Sequence, residues 1–356
     1  MTAKDIRIEK VANPGKVGSL EGVGFGTLFT DHMFVMDYSN GEWHDARIVP
    51  FRDFSIHPAA LVLHYGGEIF EGLKAYRKAD GTIQLFRPEQ NMQRMYNSAV
   101  RMGLPVFDTD FMLEALKTFV KVEEAWVPAE FGTSLYLRPF LFGIDPKLGV
   151  HAAKEAIMCI IASPVGSYYK EGINPVKIMI EEEDVRCVIG GTGEAKCGGN
   201  YAASTRAGER AEQQGYSQVL WLDGVERKYI EEVGAMNVMF KINGVVITPE
   251  LVGSILPGIT RKSCVELLKA NNIPVEERRL SVDELIEALK NGTLEEAWGT
   301  GTAAVVSPIG EICYKGEKYT VNDFKIGETT QWLYDELTGI QWGKKEDKFG
   351  WIQKLD

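Results

Sequence analysis

The 356-residue sequence is poor in the features that mark several large classes of protein. Its five cysteines are widely spaced and form no CxxC pair, so neither a disulfide framework nor a cysteine-ligated zinc site is expected. The five histidines are equally scattered, and we expect no metal site. Basic residues are in the minority, 39 against 50 acidic residues. The resulting formal net charge of −11 argues against nucleic acid or an acidic membrane as a partner.

Long apolar segments are also lacking. The longest apolar run, residues 156–162, is far too short to span a bilayer. Residues 1–10 alternate charged and apolar side chains and lack the apolar core of a signal peptide. Because scattered cysteines are typical of free thiols in a reducing compartment, we expect a cytoplasmic protein.

The composition that remains is that of an ordinary globular protein, 45% hydrophobic and 25% charged, in a chain long enough for two domains. We predict an α+β protein with an N-terminal half, residues 1–172, and a larger C-terminal half, residues 173–356. The linker between them is predicted at about 164–172, a stretch rich in turn formers. Predicted helices begin at Pro88, after Asn200, after Thr260 and after Ser281, where Glu284 completes a capping box. Predicted strands cover 135–142, 157–162, 176–180 and 218–222, and a hairpin turns at Asn243-Gly244.

The most informative segment is 190–201, in which Lys196 stands alone among small residues with glycines on both sides. A lysine that forms a Schiff base with a flat aromatic cofactor needs small residues around it, because its amine must reach the cofactor without the neighbouring backbone contacting the ring. We therefore interpret Lys196 as the Schiff-base lysine of a pyridoxal-phosphate enzyme. Taken alone, the segment also fits a surface lysine in a loop.

A pyridoxal-phosphate enzyme also needs an acid beside the pyridine nitrogen and a cradle for the phosphate. Glu232, which precedes a glycine and a predicted strand, is the candidate acid. Residues 256–261 place Gly-Ile-Thr at a helix start, where N–H groups bind phosphate, and 299–304 offer a second loop. Arg94 adjoins the apolar stripe of the helix predicted from Pro88 and is the candidate cation. A solvated glutamate and an ordinary helix cap are the alternatives for Glu232 and for 256–261.

The remaining requirement is a substrate pocket. Tyr136 and Arg138 lie at i and i+2 and therefore share one face of a predicted strand. A strand aromatic more often belongs to the core, but an arginine on the face of Tyr136 needs a carboxylate partner. Phe70 is a further candidate for the pocket.

In this order along the chain, the motifs resemble those of the branched-chain amino-acid aminotransferases, which are class IV (fold type IV) pyridoxal-phosphate enzymes. The resemblance covers about residues 25–343. It is carried by residues 63–72, 91–95, 136–139, the Lys196 segment, 232–240, 256–261 and 299–303.

This resemblance implies a two-domain α+β fold like that of D-amino-acid aminotransferase, with the cofactor in a cleft between the domains. It implies that Lys196 is the catalytic residue, which carries pyridoxal 5′-phosphate and shuttles a proton between substrate and cofactor. The cofactor-binding residues that it implies are Arg94, Arg186, Lys196, Tyr201, Glu232, Ile259, Thr260 and Thr302. The substrate-binding residues that it implies are Tyr65, Phe70, Tyr136, Arg138, Tyr168 and Ala303, with Val150 contributed across a dimer interface.

The implied activity is ping-pong transamination of L-leucine, L-isoleucine and L-valine with 2-oxoglutarate. The implied partners are these small molecules and a second copy of the chain in a homodimer. A D-amino-acid aminotransferase or an aminodeoxychorismate lyase of the same fold is the alternative, although residues 136–139 favour the branched-chain type. Ala235 stands where some relatives carry a threonine, so we expect one hydrogen bond to the cofactor to be missing or replaced by water.

Overall fold

The computed structural model describes residues 5–166 and 173–355. The chain forms two compact units that do not follow chain order alone. The first unit takes in the described residues before 167 together with Ala195–Gly198 and the chain from Gly339. The second unit takes in residues from 173 to Glu194 and Gly199–Thr338.

The first unit is built on a nine-stranded sheet with the order β1-β3-β2-β8-β7-β5-β6-β18, and β4 pairs with β7 beside this path. Its pairs are antiparallel except for β1 with β3. The strands are β1 (Arg7–Ile8), β2 (His32–Ser39), β3 (Glu42–Pro50), β4 (Glu68–Phe70), β5 (Leu73–Arg77), β6 (Ile83–Phe86), β7 (Ser134–Gly143), β8 (Ala156–Val165) and β18 (Ile352–Lys354).

Both faces of this sheet carry apolar side chains, as the long apolar runs of β7 and β8 predict. One face packs with two helices, α2 (Pro88–Met102) and α3 (Thr109–Val122), into the larger core of the unit. The other face carries a smaller apolar cluster that includes Val35, Phe142 and Cys159. A short helix, α1 (Leu61–Tyr65), precedes β4.

Helix α2 begins at Pro88, as predicted, and ends at Met102, and the next residue, Gly103, has a left-handed conformation. Its buried stripe includes the apolar Met92 and Met95, and it also carries three polar residues, Asn91, Arg94 and Ser98. Because buried polar groups require partners, these three residues point to specific contacts inside the unit.

The second unit contains another nine-stranded sheet, with the order β11-β10-β9-β16-β15-β12-β13-β14 and with β17 paired to β16. Its strands are β9 (Val176–Ile180), β10 (Gln218–Leu222), β11 (Ile230–Val233), β12 (Met236–Ile242), β13 (Val245–Thr248), β14 (Val275–Glu277), β15 (Leu294–Gly301), β16 (Val305–Tyr314) and β17 (Glu317–Thr320). The helices of this part of the chain are α4 (Gly198–Ala202), α5 (Thr205–Gln213), α6 (Ile259–Ala270), α7 (Val282–Lys290) and α8 (Glu328–Gln341).

The main local predictions are confirmed. The four predicted strands lie within β7, β8, β9 and β10. Asn243 and Gly244 join β12 to β13 with φ of 48° and 76°, the two positive values that a tight hairpin turn requires. Of the predicted linker, residues 164 and 165 end β8, whereas 167–172 lie outside the described residues. The predicted domain boundary stays a prediction.

Within the described residues, no helix combines the length and the apolar character needed to cross a membrane.

The capping of α7 gives a test of how local sequence stabilises the fold. The Ser281 hydroxyl accepts a hydrogen bond from the N–H of Glu284 at 3.1 Å, which is one half of the predicted capping box. The Glu284 carboxylate accepts from Arg278 instead of from the N–H of Ser281, so the other half is not formed. We expect Ser281→Ala to lower the free energy of unfolding by about 1 kcal/mol, because an N–H at the helix start loses its acceptor. Urea unfolding measures the change. Ser281→Asp, which keeps an acceptor, should behave like the parent protein, and an equal loss in both variants would contradict this account of the cap.

Candidate active site

The backbone around Lys196 is held in the first unit by three hydrogen bonds. The N–H of Lys196 donates to the hydroxyl of Ser98 at 2.9 Å, and its carbonyl accepts from the N–H of Phe70 at 2.9 Å. Two residues later, the N–H of Gly198 donates to the carboxylate of Glu68. The side chains on either side of Lys196, Ala195 and Cys197, are buried in the larger core of the unit.

Because its neighbours are anchored in this way, the point from which the Lys196 side chain extends is fixed. Its Nζ lies 5.0 Å from the centre of the Phe70 ring, and the side chain is half-buried rather than exposed as a surface lysine would be.

The glycine at position 198 is required by a close approach. A Cβ at Gly198 would overlap the Oε1 atom of Glu68 and would displace that carboxylate from its hydrogen bond with the Gly198 N–H. The close approach of Glu68 is therefore a steric reason for the small residue that the sequence has at position 198.

Arg94 is held by a buried carboxylate. The Nε and Nη2 atoms of Arg94 donate to the two carboxylate oxygens of Glu71 at 2.7 and 2.9 Å, and the amide of Asn91 donates to Glu71 at 2.8 Å. Burial by itself raises the pKa of Glu71, but the charge and hydrogen bonds of Arg94, with the charge of Lys196, lower it below its usual value. Glu71 is thus an ionised carboxylate that fixes the guanidinium of Arg94 in one orientation.

Tyr136 and Arg138 share a face of β7, as predicted. The Nη2 atom of Arg138 donates to the Tyr136 hydroxyl at 3.0 Å, and the guanidinium carbon lies 4.6 Å from the centre of the Phe70 ring. Among the described residues, Arg138 has no carboxylate within ion-pair distance, and its buried Nε has no hydrogen-bond partner. A half-buried guanidinium in this state is prepared to bind an anion from outside the chain.

A cavity of about 200 Å³ adjoins this pair. Phe25, at the edge of the cavity, packs its ring edge-on against Tyr136 at a centroid distance of 4.9 Å. The cavity is lined by Phe25, Gly26, Phe29, Tyr136, Arg138, Ile161, Ala162 and Ser163. Its walls are therefore mainly apolar, with one cation, which suits a small ligand that is aliphatic or carries a carboxylate.

In the second unit, Glu232 is a buried carboxylate at the centre of a polar group. It forms an ion pair with Arg186, and its Oε1 atom accepts from the amide of Asn237 at 3.1 Å. The same Asn237 amide donates to the carbonyl of Leu256 at 2.9 Å and so connects Glu232 to the loop before α6. The alternative of a solvated glutamate is wrong, because Glu232 is 3% exposed.

Two loops of the second unit offer hydrogen-bond donors. Ile259 and Thr260 are the first residues of α6, where N–H groups have no acceptor within the helix. Thr302 and Ala303 lie in the turn that joins β15 to β16. A Cβ at Gly258 would overlap the Oδ1 atom of Asn237, so a larger residue would displace the amide that connects Glu232 to this loop.

The contacts of the other predicted site residues say less about the roles predicted for them. The Tyr65 hydroxyl accepts from the N–H of Gly149 at 2.8 Å, and Val150 is 85% exposed. Tyr201 lies in α4, one residue after Asn200, which is held by two hydrogen bonds to Thr192. Tyr168 lies outside the described residues. The roles predicted for these residues stay predictions.

Three polar residues that organise these groups were not predicted from the sequence: Glu68, Glu71 and Asn237. A signal for Glu71 was present, because Asn91 and Arg94 fall on the buried stripe of α2 and require an anion. No comparable pattern marks Asn237, whose partners come from β11 and from the loop before α6.

Comparison with known proteins agrees with this geometry. Residues 68–312 match the family model described as amino-transferase class IV. The chain is 53% identical to branched-chain-amino-acid aminotransferase 2 of Bacillus subtilis, over 100% of this chain and 98% of that protein.

Solved structures support the same relationship. The structure is similar to the branched-chain amino acid aminotransferase of Escherichia coli, with a TM-score of 0.75 and 28% identity over 92% of this chain and 99% of that one. It is also similar to the branched-chain aminotransferase of the thermophilic archaeon Thermoproteus uzoniensis with norvaline, with a TM-score of 0.76 and 25% identity over 91% and 100% of the two chains. The predicted α+β fold of the fold type IV enzymes is confirmed, and the chain belongs to the class IV aminotransferases, within the group of branched-chain-amino-acid aminotransferases.

Proposed function

We propose that this protein transfers the amino group of L-leucine, L-isoleucine or L-valine to 2-oxoglutarate, with pyridoxal 5′-phosphate as cofactor and Lys196 as its attachment point. The names of the similar proteins support the reaction and favour it over the D-amino-acid or lyase alternative. The observation that carries the proposal is Arg138, a half-buried cation without a carboxylate partner among the described residues, beside a mainly apolar cavity.

The residues present fit the cofactor. In the second unit, Nη1 of Arg186 and Oγ1 of Thr300 are buried atoms without a hydrogen-bond partner among the described residues. Oxygen atoms of a bound phosphorylated ring would satisfy donors of this kind. Glu232, which pairs with Arg186, offers the carboxylate that a protonated pyridine nitrogen requires.

The residues proposed to hold the cofactor are those that the resemblance implies: Arg94, Arg186, Lys196, Tyr201, Glu232, Ile259, Thr260 and Thr302. When bound, pyridoxal 5′-phosphate supplies the carbon that accepts the amino group and an electron sink for the negative charge that develops on the substrate.

The chain itself supplies proton transfer and positioning. Nζ of Lys196 takes up the proton that leaves the substrate α-carbon, and the three backbone hydrogen bonds of its segment keep that amine in place. The guanidinium of Arg94, fixed by Glu71, provides a permanent charge for the phosphate.

Arg138 explains how one pocket could serve two kinds of side chain. An aliphatic side chain packs on the apolar walls near Phe70 and Tyr136. The γ-carboxylate of glutamate or 2-oxoglutarate pairs with Arg138, because an unpaired carboxylate in an apolar cavity would be strongly disfavoured. Tyr65, Tyr168 and Ala303 are proposed to complete the substrate contacts.

We also propose that the protein acts as a cytoplasmic homodimer. Apolar side chains of the first unit are strongly exposed around the α1 region and the loop after β7, including Leu63 at 56%, Leu148 at 66% and Val150 at 85%. Exposed apolar side chains of this size are typical of a surface that another chain covers. In that assembly Val150 would reach the substrate pocket of the partner.

The reaction is tested by measuring L-glutamate formed from 2-oxoglutarate with different amino donors. We expect rapid formation with L-leucine and a rate at least about a hundredfold lower with D-alanine, since the two donors present opposite faces of the α-carbon to the same amine. Lys196→Ala should give no turnover and no visible absorbance from lysine-bound cofactor. Turnover of D-alanine in preference to L-leucine, or near-normal turnover in Lys196→Ala, would contradict the proposal.

The Glu71–Arg94 pair predicts a pH-dependent effect on stability. Glu71→Gln leaves a buried guanidinium without its counter-charge, so we expect the free energy of unfolding at pH 7 to fall by about 3 kcal/mol. Because the folded state lowers the pKa of Glu71, its contribution is present above the unfolded pKa of about 4.3 and is lost as the pH falls through the folded value. The difference between parent and variant should therefore shrink in acid.

Denaturant unfolding of the cofactor-free protein between about pH 3 and 8 measures this difference. Glu114→Gln is the matched control, because Glu114 pairs with Lys117 on the exposed surface of α3, where its side chain is 52% exposed. We expect the control to change stability by less than about 1 kcal/mol. Equal effects in the two variants would contradict the role given to Glu71.

A further inference from the structure

Glu68 is a carboxylate on the face of the first sheet that carries Arg138. In the pairing of β4 with β7, Glu68 lies opposite Phe142 and Phe70 lies opposite Phe140. Residues opposite each other in an antiparallel pair share a face, and side chains alternate along a strand. Glu68, Phe70, Tyr136 and Arg138 are therefore on one face.

Glu68 is also close enough to Arg138 for their charges to interact. The Phe70 ring, two residues from Glu68, stacks on the Arg138 guanidinium at 4.6 Å. Burial is the largest effect and leaves the pKa of Glu68 above its usual value, while the hydrogen bond from Gly198 and the positive charge of Arg138 act to lower it. The two side chains attract each other without forming an ion pair among the described contacts.

The side chain of Glu68 has two functions that can be tested separately. Its Oε1 atom accepts from the N–H of Gly198, which helps to hold the Lys196 segment. Its negative charge, by contrast, acts on Arg138. A substitution that keeps the acceptor oxygen and removes the charge therefore isolates the second effect.

We propose that Glu68 is a specificity-determining residue that sets the balance between aliphatic and γ-carboxylate substrates at Arg138, an inference that rests on the proposed transamination. The charge of Glu68 partly compensates Arg138 when an aliphatic side chain occupies the pocket. When a γ-carboxylate occupies it, the two carboxylates compete for one guanidinium and repel each other. Glu68 thus weakens binding of the dicarboxylate and makes the aliphatic side chain easier to accommodate.

The test is Glu68→Gln in the holoenzyme. We expect the KM for 2-oxoglutarate and the dissociation constant of glutarate, a dicarboxylate that cannot react, each to fall by about three- to tenfold. The KM for L-leucine and the dissociation constant of 4-methylpentanoate should stay the same or rise. The readout is the ratio of the glutarate and 4-methylpentanoate dissociation constants rather than kcat, because glutamine keeps an acceptor for Gly198 but a neutral one.

Two further variants make the result decisive. Glu42→Gln, in the exposed first position of β3, is the matched control and should change none of the constants. Glu68→Ala removes both the charge and the acceptor, so it should still favour glutarate over 4-methylpentanoate while kcat falls.

An unchanged ratio of glutarate to 4-methylpentanoate affinity in both Glu68 variants would overturn the inference. An equal loss of affinity for glutarate and for 4-methylpentanoate would also overturn it, since Glu68 would then serve only to hold the Lys196 segment. Failure of the proposed function is a different result, because the parent enzyme would then show no glutamate formation with L-leucine.

Discussion

The attachment of residues 195–198 to the first unit is the constraint on which the rest of the structure depends. Although the chain on both sides of this segment belongs to the second unit, Ala195 and Cys197 are buried in the core of the first. Hydrogen bonds to Ser98, Phe70 and Glu68 fix the backbone between them. A lysine amine can act only within the reach of its side chain, so this anchoring determines where Lys196 can do chemistry.

The three arginines near the functional groups differ in how their charges are compensated, and this difference matches their proposed roles. Arg94 is paired through two hydrogen bonds with a fully buried carboxylate and is rigidly oriented. Arg186 is paired with Glu232, which also accepts from Asn237. Among the described residues, Arg138 donates to the Tyr136 hydroxyl and lies against aromatic rings, and no carboxylate is within ion-pair distance of it, although the charge of Glu68 acts on it from farther away. The arginine proposed to bind a substrate carboxylate is thus the one without a carboxylate of its own.

Much of this arrangement could be predicted from the sequence where the pattern is local. The i and i+2 spacing of Tyr136 and Arg138 and the Ser281 cap on the N–H of Glu284 each reflect interactions within a few residues, and the structure has them as predicted. The position of Arg94 beside the stripe of α2 likewise follows from helical periodicity.

Contacts distant in sequence could not be predicted in the same way. The hydrogen bonds between Glu71 and Arg94 join residues 23 positions apart in the sequence, and the one between Glu68 and Gly198 joins residues 130 positions apart. A glutamate in a short strand has no periodic feature that distinguishes a buried partner from a solvated side chain. For the same reason chain order alone did not indicate that residues 195–198 and those from Gly339 belong with the first unit.

The central claim is that the cofactor is covalently attached to the amine of Lys196. Borohydride reduction of the holoenzyme, followed by proteolysis and mass spectrometry, tests it most directly. The account predicts a single phosphopyridoxyl group on the peptide that contains Lys196. A label on a different lysine, or no label on any peptide, would contradict it.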